Sequence, residues 1–220
     1  MKTLLRMNRI ELRHILPDVF VGREDSHSDI WQQLVVFEKG KSYLIEAASG
    51  TGKSSLCSYI FGYRKDYQGM ISFDQLDIRN FTVDQWVGIR QHNIGMLFQE
   101  LRLFPELTAG ENVLLKNKLT GYRSMEELKN LFEALGISDK WNQPVGKMSF
   151  GQQQRVAFVR MLCQPADFYF LDEPVSHLDD ANGNAMAKIL KEEIASKGCG
   201  VIVTSIGQRL DMDYTSTLKL

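Results

Sequence analysis

The sequence predicts an α/β fold with a mostly parallel sheet, because strand and helix patterns alternate along much of the chain. The apolar runs SYLIE, DFYFLDEP and GVIVTS have the composition of strands buried in a sheet. Helical spacing of apolar residues follows in KSSLCSYIFGY and in NAMAKILKEEIASKG. Shorter β-prone runs, NRIEL, LVVF and MISF, crowd the first third and indicate further sheet there.

A helical insert is predicted from about Leu107 to Leu135, over TAGENVLLKNKL and SMEELKNLFEAL. Ser124 followed by Glu127 resembles a capping box, which marks the start of a helix. Another helix is predicted over GQQQRVAFVRMLC, just before the strand DFYFLDEP. The sequence therefore places a helical region between strand-rich parts of the chain.

The segment AASGTGKSS follows the strand SYLIE and fits the end of the phosphate-loop pattern G-x-x-x-x-G-K-[ST]. Gly50 and Gly52 allow backbone N–H groups to turn inward around a β-phosphate. Lys53 can reach the β- and γ-oxygens, and Ser54 can ligate Mg²⁺. Ala47 stands where the first glycine is usual, which needs only a negative φ. The alternative interpretation is a glycine-rich turn, but the strand and helix on its flanks favour a phosphate loop.

An acidic pair, Asp172 and Glu173, follows the strand DFYFL at the end where ligands bind to open α/β sheets. Asp172 can hold the water shell of Mg²⁺, and Glu173 can polarise an attacking water. Taken alone, such a pair is more often a solvated turn. A phosphate loop earlier in the same chain favours the catalytic interpretation.

Three further segments resemble motifs of the ATP-binding-cassette (ABC) ATPases. MSFGQQQR, from Met148 to Arg155, is similar to their LSGGQ signature, and MLFQELRLFPELTAGENV resembles the segment that contains their glutamine loop. EPVSHLDD resembles their D-loop, with matches at Ser176, Leu178 and Asp179. With the phosphate loop and the acidic pair, five motifs occur in the family's order, so the chain is identified as a member. LFPELTAGENV and GQQQRVAFVRML look most like the lipoprotein-release, macrolide-export and cell-division group.

The resemblance implies one nucleotide-binding domain over residues 1–220. Its expected parts are a P-loop NTPase (RecA-like) core, an N-terminal antiparallel β subdomain and a helical subdomain at about residues 100–155. It also implies a head-to-tail dimer, either a homodimer or a pair of ABC subunits, that binds ATP between one protomer's phosphate loop and the other's signature. The N-cap hydroxyl of Ser149 and the helix behind it favour the γ-phosphate of the opposing site.

By the same resemblance, Gln99 contacts Mg²⁺ and the attacking water and links the core to the helical subdomain, which faces transmembrane permease subunits. ATP and Mg²⁺ are the predicted ligands. The predicted catalytic residues are Glu173, Gln99 and Ser205, and the predicted metal ligands are Ser54, Gln99 and Asp172. The predicted nucleotide-binding residues are Ser49, Gly50, Thr51, Gly52, Lys53, Ser54, Ser55, Phe20, Ser149, Gly151, Gln152 and Asp179.

Three positions leave a question open. An aromatic residue stacks on adenine in this family, and Phe20 or Trp31 could fill that role or simply pack. Phe150 replaces a glycine of the signature and is expected to point outward. Ser205 stands where a switch histidine is usual; its hydroxyl can donate a hydrogen bond but lacks the reach and charge of imidazole. ATP binding with reduced hydrolysis is therefore expected.

The charge balance, the cysteine spacing and the apolar content of the sequence limit which partners and which location we expect. The 26 basic and 27 acidic residues give a formal net charge of −1, so no nucleic-acid partner is expected. The spacing of Cys57, Cys163 and Cys199 favours buried free thiols over disulfides or a zinc site. No signal peptide or membrane span is predicted, so the expected location is cytoplasmic, on the inner face of the membrane through a partner.

Two functions remain open on the sequence. The first is the ATP-binding subunit of a transporter, in which ATP hydrolysis drives separate transmembrane subunits. The second is an ATP-dependent dimerising switch with weak hydrolysis, which Ser205 favours. A DNA-repair or translation ATPase is disfavoured, because no coiled-coil insertion, duplicated cassette or basic excess occurs.

Overall fold

The computed structural model describes residues 6–22 and 27–220, so the first residues of the chain, where no signal peptide is predicted, lie outside the description. A five-stranded parallel sheet forms the middle of the fold, in the order β6-β7-β8-β3-β9. The predicted parallel sheet is therefore confirmed. Its strands are β3 (Ser42–Glu46), β6 (Ile94–Leu97), β7 (Phe168–Asp172), β8 (Gly200–Ser205) and β9 (Ser216–Lys219).

A second, antiparallel sheet contains most of the early strands, in the order β2-β1-β4-β5. It confirms the predicted N-terminal antiparallel part. Its strands are β1 (Arg9–Pro17), β2 (Leu34–Glu38), β4 (Tyr67–Phe73) and β5 (Leu76–Asp77). Gly69 has a φ of +82°, and a Cβ there would lie 2.4 Å from the carbonyl oxygen of His14, so only glycine fits this close strand approach.

Six α-helices occur in the described residues, and the predicted helical insert contains two of them. Thr108 and Ser124 begin these two helices with complete capping boxes, so the capping box predicted at Ser124 is confirmed. Helix α6 begins at Asp180, four residues before the predicted run, because Asp179 caps it. The helices are α1 (Lys53–Ile60), α2 (Val83–His92), α3 (Ala109–Asn117), α4 (Met125–Ala134), α5 (Phe150–Met161) and α6 (Asp180–Lys197).

The parallel sheet separates two hydrophobic cores. Along β7, Phe168 and Phe170 pack toward the antiparallel sheet, while Tyr169 and Leu171 pack toward the helical region. Every residue of β7 and β8 is buried, as expected for a sheet covered on both faces. No helix in the described ranges is both long and apolar enough to cross a membrane.

Candidate nucleotide site

The candidate site lies at the carboxyl edge of the parallel sheet. Because β3, β6, β7 and β8 run in the same direction, the segments that follow them meet at one edge. The glycine-rich loop follows β3, Gln99 lies two residues after β6, Glu173 follows β7, and Ser205 ends β8. The fold thus gathers residues that are up to 158 positions apart in the sequence, as the separation of Ala47 from Ser205 shows.

The glycine-rich loop has the backbone that the phosphate-loop prediction requires. Gly50 and Gly52 have φ values of +83° and +95°, and Gly52 is the N-cap of α1. A Cβ on Gly52 would lie 2.9 Å from Trp31 and 3.0 Å from Phe20, so this position has no room for a side chain. Ala47 has no positive φ and donates its N–H to the carbonyl of Ser205 at 3.0 Å. The alanine therefore fits the loop entrance without strain.

Lys53 joins the glycine-rich loop to the acidic pair. Its Nζ donates to Asp172 Oδ1 at 3.0 Å and also to Glu173 Oε1, and all three side chains are largely buried. Burial opposes the charge of Lys53, but the hydrogen bond to Glu173 and the charge of Asp172 outweigh it, so the pKa of Lys53 is raised. Glu173 has a φ of +50°, which is costly for a non-glycine residue and often marks a functional site.

The donor set also suits Mg²⁺. Ser54 is exposed directly after Lys53, and Gln99 is exposed in the segment that follows β6. Hydroxyl, amide and carboxylate oxygens are the ligands that the ion prefers. Asp172 Oδ1 accepts hydrogen bonds from Lys53 and Thr204, whereas its Oδ2 accepts none from the described residues. That second oxygen can therefore serve a metal-bound water. No group of three or more His, Cys, Asp or Glu side chains in the described part of the chain could hold a metal by itself.

Ser205 is buried at the end of β8. The residue is 2% exposed, and its hydroxyl donates to the carbonyl of Gln208. Ser205 and Gln208 line a cavity of about 150 Å³ together with Glu173, Ser176 and Ile206. The serine thus lies near Glu173, the residue predicted to polarise the attacking water, and its hydroxyl already donates a hydrogen bond to the loop that follows β8.

The signature residues begin α5. Ser149 is the N-cap: its Oγ accepts the N–H of Gln152 at 3.3 Å, and its own N–H donates to Gln152 Oε1 at 3.0 Å. Gly151 packs closely on the D-loop, since a Cβ there would lie 3.2 Å from the carbonyl of His177. Phe150 is 42% exposed, with its ring centroid 4.4 Å from that of His177. The ring points outward, against the D-loop.

The two candidate adenine-stacking residues lie together beside the loop, with ring centroids 6.2 Å apart. Trp31 is 3% exposed, and its indole N–H donates to the carbonyl of Thr51 at 3.0 Å. Phe20 is half-buried at the end of a short 3₁₀ helix (Asp18–Phe20). This geometry assigns Trp31 to the support of the loop and leaves Phe20 as the more accessible ring.

The remaining predicted contacts are distributed around this edge. Ser49 is exposed and Ser55 is half-buried, on the loop and the first turn of α1 respectively. Asp179 is the N-cap of α6 and accepts the backbone N–H of Asn182 at 2.8 Å. That hydrogen bond to Asn182 helps to lower the pKa of Asp179. The D-loop aspartate therefore already has a structural role in this chain.

Comparison with known proteins agrees with this geometry. The family model described as ABC transporter matches residues 35–176, which is well over half of the chain. The chain belongs to the ABC transporter family. The dimeric ATP-binding cassette MJ0796, in a post-hydrolysis state bound to ADP and Pi, superposes with a TM-score of 0.71 at 26% identity. That alignment covers 89% of this ABC chain and 87% of MJ0796, and the predicted fold class is confirmed.

Curated relatives confirm the predicted resemblance to the lipoprotein-release and macrolide-export group. The lipoprotein-releasing system ATP-binding protein LolD of Syntrophus aciditrophicus is 30% identical over 79% of this ABC chain and 79% of its own length. The macrolide export ATP-binding/permease protein MacB of Aggregatibacter actinomycetemcomitans is 31% identical over 84% of this chain. The chain spans only 29% of the length of MacB.

Two residues of this ABC site were not predicted from the sequence. Thr204 donates to Asp172 Oδ1 at 2.6 Å, and Gln154 donates to the carbonyls of Glu173 at 3.2 Å and Pro174 at 2.8 Å. The hydroxyl of Thr204, near the end of the buried strand GVIVTS, could have indicated the contact with Asp172. Nothing in the run of glutamines distinguishes Gln154, because only the packing of α5 turns it inward.

Proposed function

We propose that this chain is the ATP-binding and ATP-hydrolysing subunit of an ABC transporter. The observation that carries the proposal is the position of Lys53, which links the glycine-rich loop to Asp172 and Glu173 at the carboxyl edge of the sheet. We assign residues 1–220 to one nucleotide-binding domain, with a helical subdomain at about residues 100–155. The location proposed is the inner face of the cell membrane, through permease subunits; no nucleic-acid partner is proposed.

The phosphates of ATP would take the place of the carboxylates on Lys53. The loop residues Ser49 to Ser55 would bind the β- and γ-phosphates through backbone N–H groups, and the ammonium group of Lys53 would contact the β- and γ-phosphate oxygens. Phe20 would stack on adenine. In a head-to-tail dimer, Ser149, Gly151, Gln152 and Asp179 of one protomer would contact the nucleotide held by the other.

Glu173, once released by Lys53, would act as the general base. It would accept a proton from a water whose oxygen bonds to the γ-phosphorus as the bond to the ADP oxygen breaks. Gln99 would orient this water, and Ser205 would supply a weaker contact than a histidine at that position. Ser54, Gln99 and Asp172 would hold Mg²⁺, which neutralises charge on the phosphoryl oxygens.

The test is Mg-ATP turnover by the purified chain, alone and in detergent with a co-purifying permease. Glu173→Gln is expected to lower turnover by about 100-fold or more while ATP binding persists. Equal turnover by this variant would remove Glu173 from the catalytic role, and a wild-type chain that does not bind ATP would overturn the proposal.

Ser205 favours a second candidate function, an ATP-dependent dimerising switch with weak hydrolysis. Its buried hydroxyl is engaged by Gln208, so it contributes less to the hydrolytic site than an imidazole would. Absent turnover in the full complex, restored by Ser205→His, would favour the switch. Substantial turnover by the wild-type complex would favour the transporter subunit.

A further inference from the structure

A histidine of the D-loop, His177, packs against the signature at the start of α5. Its ring centroid lies 4.4 Å from that of Phe150, and its carbonyl oxygen would lie 3.2 Å from a Cβ on Gly151. The residue is exposed and lies two positions before Asp179. The proposed dimer places Gly151 and Asp179 on the nucleotide of the other protomer. His177 therefore lies on the surface that faces that nucleotide.

The hydrogen bonds of His177 leave one ring nitrogen exposed. Ser176 Oγ lies 2.9 Å from His177 Nδ1 and 3.2 Å from the carbonyl oxygen of Glu173. A hydroxyl has only one proton to donate, and we assign it to the shorter contact, with Nδ1. The neutral imidazole then carries its own proton on Nε2. That nitrogen makes no hydrogen bond within the described part of the chain, so it is a donor open to a ligand.

No other histidine is placed to reach the nucleotide. All four histidines lie in the described ranges, and only His177 follows the carboxyl end of a strand of the parallel sheet. The strand next to β7 ends at Ser205, which is 2% exposed and donates its hydroxyl proton to the carbonyl of Gln208. A hydroxyl engaged in this way is not available to a phosphate oxygen. The D-loop is thus the segment from which an imidazole can reach ATP, across the dimer interface.

We propose that His177 is a catalytic residue of the opposing site, where its Nε2–H donates a hydrogen bond to a γ-phosphate oxygen of the ATP held by the other protomer. This inference rests on the proposed function, because it requires the head-to-tail dimer. The hydrogen bond stabilises the charge on the phosphoryl oxygens as the bond to the ADP oxygen breaks. His177 transfers no proton, and Glu173 remains the general base. Phe150 is a positioning residue, because its ring holds the imidazole against the signature.

The first test is the rate at which the full chain forms ADP from Mg-ATP in a single turnover. His177→Ala should lower this rate by about 10-fold or more, with little change in the ATP concentration that gives half the maximal rate. His177→Gln keeps an amide donor and should lose less. His92→Ala is the matched control and should keep the wild-type rate, because His92 ends α2 just before β6, at the opposite edge of the sheet.

Phe150→Ala tests the positioning role. The variant should also form ADP more slowly, and it should have no further effect in the His177→Ala background. Additive losses would assign Phe150 to the structure of α5 alone. Thermal unfolding of each variant is measured alongside the rate.

The second test uses mixed dimers of two differently tagged chains, one with His177→Ala and the other with Glu173→Gln. In the proposed geometry, each ATP site takes Glu173 from one protomer and His177 from the other. The mixed dimer then has one site with both residues and should form ADP there at the wild-type rate, whereas both homodimers are slow. A histidine that acts within its own chain would leave the mixed dimer without a complete site.

Two results would overturn the inference: a wild-type rate for His177→Ala, or a mixed dimer as slow as the two homodimers. The second result would assign His177 to a role inside its own protomer. ADP formation by the unmodified chain is measured in parallel. Either result with normal wild-type turnover contradicts the inference alone, whereas a wild-type complex that forms no ADP contradicts the proposed hydrolysis and the role of His177 together.

Discussion

Thr204 Oγ1 lies 2.6 Å from Asp172 Oδ1 and donates a hydrogen bond to it, so two neighbouring strands of the sheet fix the carboxylate that we assign to the metal. Thr204→Val keeps the shape but removes the donor, and should lower the free energy of unfolding by about 1.5–3 kcal/mol. Thr204→Ser keeps the donor and should lose less. Urea titration measures the change in the free energy of unfolding. The Mg²⁺ concentration that gives half-maximal turnover should rise in the valine variant only.

Lys53→Met leaves two buried carboxylates without their cation. The free energy of unfolding should fall by about 3–5 kcal/mol, as for other broken buried ion pairs, and ATP affinity should be lost. Adding Glu173→Gln removes one of the uncompensated charges and should recover part of the stability, though not ATP affinity. A double-mutant cycle by urea denaturation measures the coupling, and strictly additive losses would argue against this contact.

Gly52→Ala tests the conformation of the phosphate loop. The φ of +95° and the approach of Trp31 and Phe20 leave no space for a methyl group, so both stability and ATP binding should decrease. Gly88→Ala on α2 is the matched control, because its Cβ meets nothing within 4 Å. That variant should gain about 0.5–1 kcal/mol of stability and bind ATP normally.

The three cysteines should react only when the chain unfolds. All are buried and free, and burial raises the pKa of the Cys163 and Cys199 thiols to about 12 and that of Cys57 further. At pH 8 the thiolate fraction of a group with pKa 12 is about 10⁻⁴, compared with roughly a quarter for a free cysteine. Ellman's reagent should detect none of the three thiols in the native chain and all three in guanidinium; rapid native labelling would contradict this burial.

Phe20→Ala should weaken ATP binding without a large loss of stability, since the ring is half-buried. Phe20→Tyr keeps a stacking face and should bind ATP nearly as well as the wild type. Trp31→Phe should instead mainly lower stability, because the indole N–H donates to the carbonyl of Thr51. Isothermal titration with ATP and thermal unfolding separate the two roles, and equal ATP affinity of Phe20→Ala and wild type would assign Phe20 to packing alone.

The sequence was most informative where one residue type determines local structure. The glycine-rich loop, the strand before Asp172 and the capping box at Ser124 were all predicted, and each depends on neighbours within a few positions. Helix α2 was missed, although Thr82 and Gln85 form a capping box at its start. Its apolar residues are few, so periodicity alone gave little signal.

Contacts between distant segments could not be predicted in this way. Thr204 reaches Asp172 only because β7 and β8 are neighbours, and the sequence does not state that order. The inward position of Gln154 likewise depends on how α5 packs against the acidic turn. Such features come from the tertiary arrangement, which a single sequence constrains only through its motifs.

Gln154 ties the start of α5 to the acidic turn, since its amide binds the carbonyls of Glu173 and Pro174 while its own Oε1 has no partner. In the proposed dimer, the first turn of α5 contacts the nucleotide that the other protomer holds. Through these hydrogen bonds, a shift of that helix would move the backbone of Glu173 and Pro174 and so change the position of the general base. The two ATP sites would then be cooperative, and the Hill coefficient for ATP hydrolysis should fall toward one when Gln154 is replaced by leucine.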